Sequence, residues 1–261
     1  MPDQPAPEGL FLIQGSPMSQ PSKIALVTGA TRGIGLETSR QLARAGVTVL
    51  LAGRNKDATD RAVAALRADG LAVQPLVLDV NDPESIAAAK ALVQREYGRL
   101  DILVNNAGVL LDDMTLSPSQ QSLKVWRDTF DTNVFALVEV TQALLPLLKA
   151  AGSARIVNVS SQLGSFGLHT DPASPIYGFK IPAYDASKTV VNSWTVHLAY
   201  ELRDTAIKVN AIHPGYVQTD MNAGQGDLDV AAGAESSVRM ALLDDSGPSG
   251  TFSHRGSTLP W

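Results

Sequence analysis

The chain contains no cysteine. That excludes disulfides, thiolate metal sites and cysteine nucleophiles. It has no basic excess either. Its 21 Lys and Arg stand against 26 Asp and Glu, a net charge of −5. A nucleic-acid or anionic-membrane binder ordinarily carries a positive balance, so neither partner is expected. No unbroken apolar run approaches the roughly 18 residues of a membrane span. The first residues, Met1 to Pro7, bring Asp3 and no basic residue, and the apolar run Leu10 to Ile13 is short. A secretory signal is therefore not expected, and a reducing, cytoplasmic setting is. Internal repeats and heptads are absent.

What remains is the composition of an ordinary globular protein: 261 residues, 44% hydrophobic and 18% charged. A chain of this length can bury enough surface to fold without a metal or disulfide staple. Residues 1–21 are rich in Pro, Gln, Ser and Gly and lack periodicity. They are expected to form a disordered arm, with Met18 an alternative start. Residues 22–261 are expected to form one domain.

From Lys23 onward, apolar runs alternate with segments of helical spacing. The runs are Ile24–Val27, Val47–Leu51, Leu71–Leu78, Ile102–Val104, Ile156–Val159 and Val209–Ile212. Being apolar on both faces, they read as strands of a buried parallel sheet. Ile34–Ala45, Asp57–Ala68 and Pro83–Tyr97 read as helices. Gly46, Gly70, Gly98 and Gly152 stand where left-handed helix ends are expected. Asp82-Pro83 reads as a cap followed by proline at the first helical position. The alternation predicts a single α/β domain with a doubly wound parallel sheet.

The first strand runs into Thr28-Gly29-Ala30-Thr31-Arg32-Gly33-Ile34-Gly35 and then a helix. Strand, glycine-rich turn and helix in that order make a pyrophosphate cradle, because the backbone can approach the ligand and helix N–H groups favour anions. The second strand ends at Leu51-Ala52-Gly53-Arg54, with no acid to accept ribose hydroxyls. Arg54 and Arg32 suit a 2′-phosphate instead, so NADP(H) is favoured over NAD(H). Tyr184 and Lys188 are spaced i, i+4, on one helix face. A neighbouring ammonium favours the phenolate, so Tyr184 is expected to have a lowered pKa.

These segments, in this order, resemble the short-chain dehydrogenase/reductase family. The resemblance rests on the glycine turn Gly29–Gly35, Asp79 after the third strand, Asn105-Asn106-Ala107-Gly108 after the fourth, and Asn133 in a long helix. It rests also on Ser160-Ser161 after the fifth strand, Tyr184 and Lys188, and Pro214-Gly215 after the sixth. It covers about residues 23–253. It implies a seven-strand Rossmann sheet and hydride transfer between NADP(H) and a carbonyl or alcohol.

It also implies roles. Tyr184 would exchange the proton of the substrate oxygen. Lys188 would assist it and bind the nicotinamide ribose. Ser161, three residues before Gly164, would hydrogen-bond the substrate oxygen. Asn133 would hold a water linking Lys188 to solvent. Gly29, Thr31, Arg32, Gly33, Ile34, Gly35 and Arg54 would hold the phosphates. Asp79 and Val80 would meet the adenine. Asn106, Ala107 and Gly108 would line the nicotinamide, and Val217 and Thr219 would meet its carboxamide.

Ser161 and Tyr184 are 23 positions apart, more than in much of the family. The insertion is expected to form a flap over the substrate pocket. Monomer, dimer and tetramer all stay open. Leu111, Met114, Leu163, Phe166, Tyr216 and Met221 point to an apolar ketone or aldehyde. The alternative is a catalytically silent NADP sensor. His169, His197, His213 and His254 show no metal-ligand spacing, so no metal is expected. Asp112-Asp113 and Asp244-Asp245 read as solvated loops.

Overall fold

The computed structural model describes residues 22–261; the expected disordered arm, residues 1–21, and the alternative start at Met18 lie outside the described residues. In chain order the strands and helices are β1 (Ile24–Val27), α1 (Gly33–Arg44), β2 (Thr48–Gly53), α2 (Lys56–Ala68), β3 (Val73–Val77), α3 (Pro83–Tyr97), β4 (Ile102–Asn105), α4 (Leu123–Phe130), α5 (Ala136–Ala150), β5 (Arg155–Val159), α6 (Phe166–Thr170), α7 (Pro182–Glu201), β6 (Lys208–Ile212), α8 (Val230–Ala241), β7 (Phe252–His254) and β8 (Ser257–Thr258). The strands form one sheet in the order β3-β2-β1-β4-β5-β6-β7-β8. All pairings are parallel except β7 with β8.

The expected seven-strand parallel sheet is thus present, with an eighth, antiparallel strand of two residues at its edge. A sharp turn at Arg255 and Gly256, both at positive φ, folds that strand back on β7. Successive side chains on a strand face opposite sides, and the core divides accordingly. Leu26, Leu50, Leu103 and Ile156 pack with residues of α3, α5 and α7. Val27, Leu51, Val104 and Val157 pack with residues of α1, α2 and α8. Helices therefore cover both faces. β3 departs from the expected full burial, with Gln74, Pro75 and Val77 exposed. It is the sheet's edge, where a proline that cannot donate to a ladder is tolerated.

Helix limits follow local chemistry. Asp82 accepts from Glu84 N–H at 3.0 Å, and Pro83 follows it. Gly46, Gly70, Gly98 and Gly152 all adopt positive φ. One helix holds a surprise. α4 and α5 run into each other through a π-helical turn, Asp131–Phe135. Together they span 28 residues, long and apolar enough by length and composition to cross a membrane. Half of the most apolar stretch is buried within the fold, where Leu144 and Leu148 pack against the sheet.

Chain order reverses between β1 and β4, so loops leaving the carboxyl ends of these strands diverge and open a crevice. The glycine turn, Asn105 to Gly108, Ser160-Ser161 and Pro214-Gly215 all leave carboxyl ends of strands.

Candidate active site

The glycine turn is closed by short backbone distances. A Cβ on Gly35 would collide with Asn106 Nδ2 and lie 2.7 Å from Gly29 O. Gly29 and Gly33 have φ of 62° and 56°, and a Cβ on Gly29 would lie 2.9 Å from Ala107 Cα. The residue capping α1, Arg32, makes no side-chain cap bond. The helix thus presents first-turn N–H groups beside side-chain-free backbone, a cradle that fits a pyrophosphate.

Asn106 holds the turn in place. Its Nδ2 donates to Thr28 O at 2.9 Å and Gly29 O at 3.2 Å, while Asn106 and Ala107 N–H both donate to Thr28 Oγ1 at 3.0 Å. Its amide serves the glycine turn, and Ala107 and Gly108 continue the wall. Thr31 packs where a side chain on Gly53 would go. Arg54 is exposed and has no ion pair or side-chain hydrogen bond among the described residues. Arg32 pairs with Asp220 at 2.9 Å, both exposed. Thr219 Cγ2 lies 3.7 Å from the Cβ position of Gly33, so the loop after β6 abuts the turn after β1. Val217 is buried and bridges to Leu228. Asp79 Oδ1 accepts from Asn81 N–H at 3.0 Å and so shapes its own turn, with Val80 beside it half-buried.

Asn133, Ser161, Tyr184 and Lys188 are all buried. The helical spacing puts Lys188 Nζ 5.6 Å from the Tyr184 ring centroid. Lys188 Nζ donates to Val159 O at 2.8 Å, which ties the helix to the end of β5 and uses one of three ammonium donors. Ser160 and Ser161 part ways. Ser160 Oγ donates to Lys188 O at 3.3 Å, a tie between strand and helix. Ser161 Oγ accepts from Leu163 N–H at 3.2 Å and interacts with the Tyr184 hydroxyl. Gly164 ends that turn against α7, where a Cβ would come within 2.7 Å of the Lys188 carbonyl carbon. Asn133, in the π turn, grips Val109 at both ends: Oδ1 accepts from Val109 N–H at 2.8 Å and Nδ2 donates to Val109 O at 2.9 Å. Its Nδ2 also donates to Ser187 Oγ at 3.0 Å. π turns recur at functional sites because they turn side chains out of helical register.

The expected lowering of the Tyr184 pKa is corrected. Burial pushes the phenol up to about 12, although the Ser161 hydroxyl works against this. Burial also lowers Lys188 to about 8, because a desolvated ammonium is itself unfavourable. Desolvation is the largest influence on both groups, and the Asp185 charge adds to it at Tyr184. At neutral pH the phenol keeps its proton, the form that a carbonyl reduction consumes.

The sequence profile of the short chain dehydrogenases matches residues 23–228. The chain belongs to this family. The chain is 36% identical over 225 residues to the short-chain dehydrogenase anuI of Penicillium roqueforti, covering 84% of this chain and 88% of that one. It is 35% identical over 264 residues to carbonyl reductase [NADPH] 3 of Mus musculus, covering 87% and 93%. The NADPH-bound carbonyl reductase from chicken fatty liver superposes with a TM-score of 0.78 at 28% identity, covering 92% of this chain and 99% of that one. As a member, the protein is an oxidoreductase with carbonyl reductases among its relatives.

One carboxylate departs from the sequence expectation. Asp112, expected in a solvated loop, is 7% exposed. Its Oδ1 accepts from Ala183 N–H at 2.9 Å and its Oδ2 from Tyr184 N–H at 3.0 Å. Its neighbour Asp113 is exposed and turns to Thr115, as the sequence suggests. No local signal separates the two, since the partner lies more than 70 positions away. Asp185 Oδ2 accepts from Ile181 N–H at 3.1 Å. Burial, then the Asp112 charge, pushes Asp185 up to about 7.

The insertion carries α6. His169 Nε2 meets Leu163 O at 2.8 Å and lies 3.4 Å from Asp185 Oδ2. Burial first, with Lys180 adding to it and the Leu163 carbonyl opposing it, lowers the His169 pKa. The Trp261 ring stacks on Phe252 with centroids 5.7 Å apart, and its carbonyl oxygen accepts from Gly167 N–H at 2.9 Å. The apolar end therefore packs on its own domain. His213 is buried against His254, ring centroids 5.0 Å apart, and burial lowers its pKa to about 3. Among the described residues no cluster of three or more His, Asp or Glu is placed to hold a metal ion.

Proposed function

We propose that the protein is an NADPH-dependent reductase of apolar ketones or aldehydes. The observation that carries this is the buried Tyr184 phenol, proton in place, beside Ser161 and on the same helix face as Lys188. The glycine cradle fits a dinucleotide, and NADPH supplies a hydride when bound. The rest belongs to the chain. Ser161 Oγ–H and Tyr184 Oη–H hold a carbonyl oxygen, and their donors favour the charge that grows there. Tyr184 then releases its proton to that oxygen. The Lys188 ammonium steadies the resulting phenolate. Asn133 keeps Val109, and with it the wall after β4, in register with α7 through Ser187.

NADP(H) preference rests on the missing acid after β2 and on two exposed guanidiniums, Arg32 and Arg54. The carbonyl reductases of mouse and chicken, both named for NADPH, support it. An apolar substrate is supported by Leu111, Met114, Phe166, Tyr216 and Met221, exposed on the segments that follow β4, β5 and β6. A cytoplasmic setting belongs to the same proposal. The silent-sensor alternative has no support, since all four catalytic side chains are assembled.

The test follows NADPH and NADH absorbance against a panel of aldehydes, ketones and quinones. NADPH oxidation by apolar carbonyls, well above that of NADH, is expected. Equal use of both coenzymes overturns the arginine assignment, and no turnover of any carbonyl overturns the reductase.

A further inference from the structure

We infer that Asp112 is a positioning residue for the proton donor: its carboxylate holds the first turn of α7, and so the place of Tyr184, from the loop after β4. A helix start leaves N–H groups without intrahelical partners. At α7 a local group supplies only one of them. The capping residue is Ile181, with no side-chain acceptor, and the first helical residue is Pro182, which has no N–H. Asp185 reaches back to Ile181 N–H, and Asp185 N–H opens the helical ladder on Ile181 O at 2.9 Å. Two donors then remain, Ala183 N–H and Tyr184 N–H. Asp112 takes both, one on each oxygen. Both bonds are charge-assisted, and the helix N-terminus favours the anion that makes them.

The placement also bears on the site. One of the two bonded amides belongs to Tyr184 itself. Asp112 lies four residues beyond Gly108, on the segment whose Val109 is gripped by Asn133. Asn133 in turn bonds Ser187. The wall after β4 is thus joined to α7 at two points, by Asn133 at Ser187 and by Asp112 at Tyr184. Ser161, on the other side, meets the phenol from the end of β5. With Asp112 removed, the turn bearing the phenol is free to drift relative to both. A misplacement of about 1 Å can cost on the order of 10²-fold in rate.

The inference deepens the reductase proposal, and its test has an arm independent of turnover. In the full chain, Asp112→Asn keeps one acceptor and sets an N–H₂ against the second amide. Amide hydrogen exchange at Ala183 and Tyr184 should quicken by about tenfold or more, the loss expected for a hydrogen bond to a charged group. The kcat should fall by about 10- to 100-fold while KM for NADPH changes by less than about threefold. Asp113→Asn, on the exposed neighbour, should leave both readouts at parental values. If Asp112→Asn fails to fold, Asp112→Ser, a good helix cap with one acceptor, carries the same two measurements. Unchanged exchange at Ala183 and Tyr184 overturns the inference, and so does a kcat within about twofold of the parent. Should the parent reduce no carbonyl, the reductase proposal falls while exchange still decides whether Asp112 holds this turn.

Discussion

Replacing Gly164 with alanine isolates one contact on which the site depends. The Ser161 turn ends at Gly164, pressed on the backbone of α7. An added Cβ would lie 2.7 Å from the Lys188 carbonyl carbon and 2.8 Å from Lys188 Cβ and O. Carbon contacts settle at about 3.5–4.0 Å, so turn and helix must part by roughly 1 Å. Neither partner can yield cheaply. Gly164 O is held by Asn192 Nδ2 at 3.1 Å, and Lys188 is tied to Val159 and Ser160. Overpacking of this kind costs about 1–3 kcal/mol. In a chain of this size that lowers Tm by about 2–12 °C. The same displacement carries Ser161 away from Tyr184, with a kcat loss on the order of 10²-fold. Calorimetry and steady-state carbonyl reduction measure the two effects. Gly178→Ala is the control, because a Cβ there meets nothing within 4 Å; it should stay within about 0.5 kcal/mol of the parent. A Gly164→Ala protein with parental Tm and kcat refutes the contact's role.

Other outcomes follow from the same geometry. Tyr184→Phe should lower kcat by about 10²–10⁴-fold while NADPH still binds, as fluorescence titration would show. The folded Lys188 pKa of about 8 lies below its ordinary 10.5, so stability is present above 10.5 and is lost as pH falls through 8. Tyr184, raised from 10 to about 12, has the opposite sign, and stability falls as pH rises between those values. Urea denaturation should show the rise from pH 8 to 10 flattened in Lys188→Met and the later fall flattened in Tyr184→Phe. Arg54→Asp should weaken NADPH by about 10-fold or more and favour NADH, measured as Kd by calorimetry. Asp220→Ala should change NADPH affinity by no more than about fivefold, since an exposed ion pair contributes about 0–1 kcal/mol.

Much of this was legible in the chain. β1 and α3 fall at the residues that periodicity and the Asp82-Pro83 cap predict. The order of the strands' carboxyl-end motifs foretold which segments meet in one crevice. The family resemblance points to Ser161 through its spacing to Gly164, and in the structure that glycine lies against the helix bearing Lys188. The limits were equally physical. An eighth strand of two residues has too little pattern to declare itself. The π turn around Asn133 differs from its flanking helix in hydrogen bonding, not in apolar spacing.

Local repeats of 2 and 3.6 residues and the preferences of glycine, proline and aspartate act over a few neighbours, so the sequence by itself determined the first six strands, the first three helices and the face shared by Tyr184 and Lys188. The sign of the Tyr184 shift was beyond it, because desolvation depends on every segment that excludes water from the phenol. So was the fate of Asp112 and Asp113, two adjacent acids, one exposed and one buried on a helix start 71 positions away. Only packing decided which of them meets that helix, because a hydrogen bond across such a separation exists once the β4 loop and α7 have been brought together by the sheet between them.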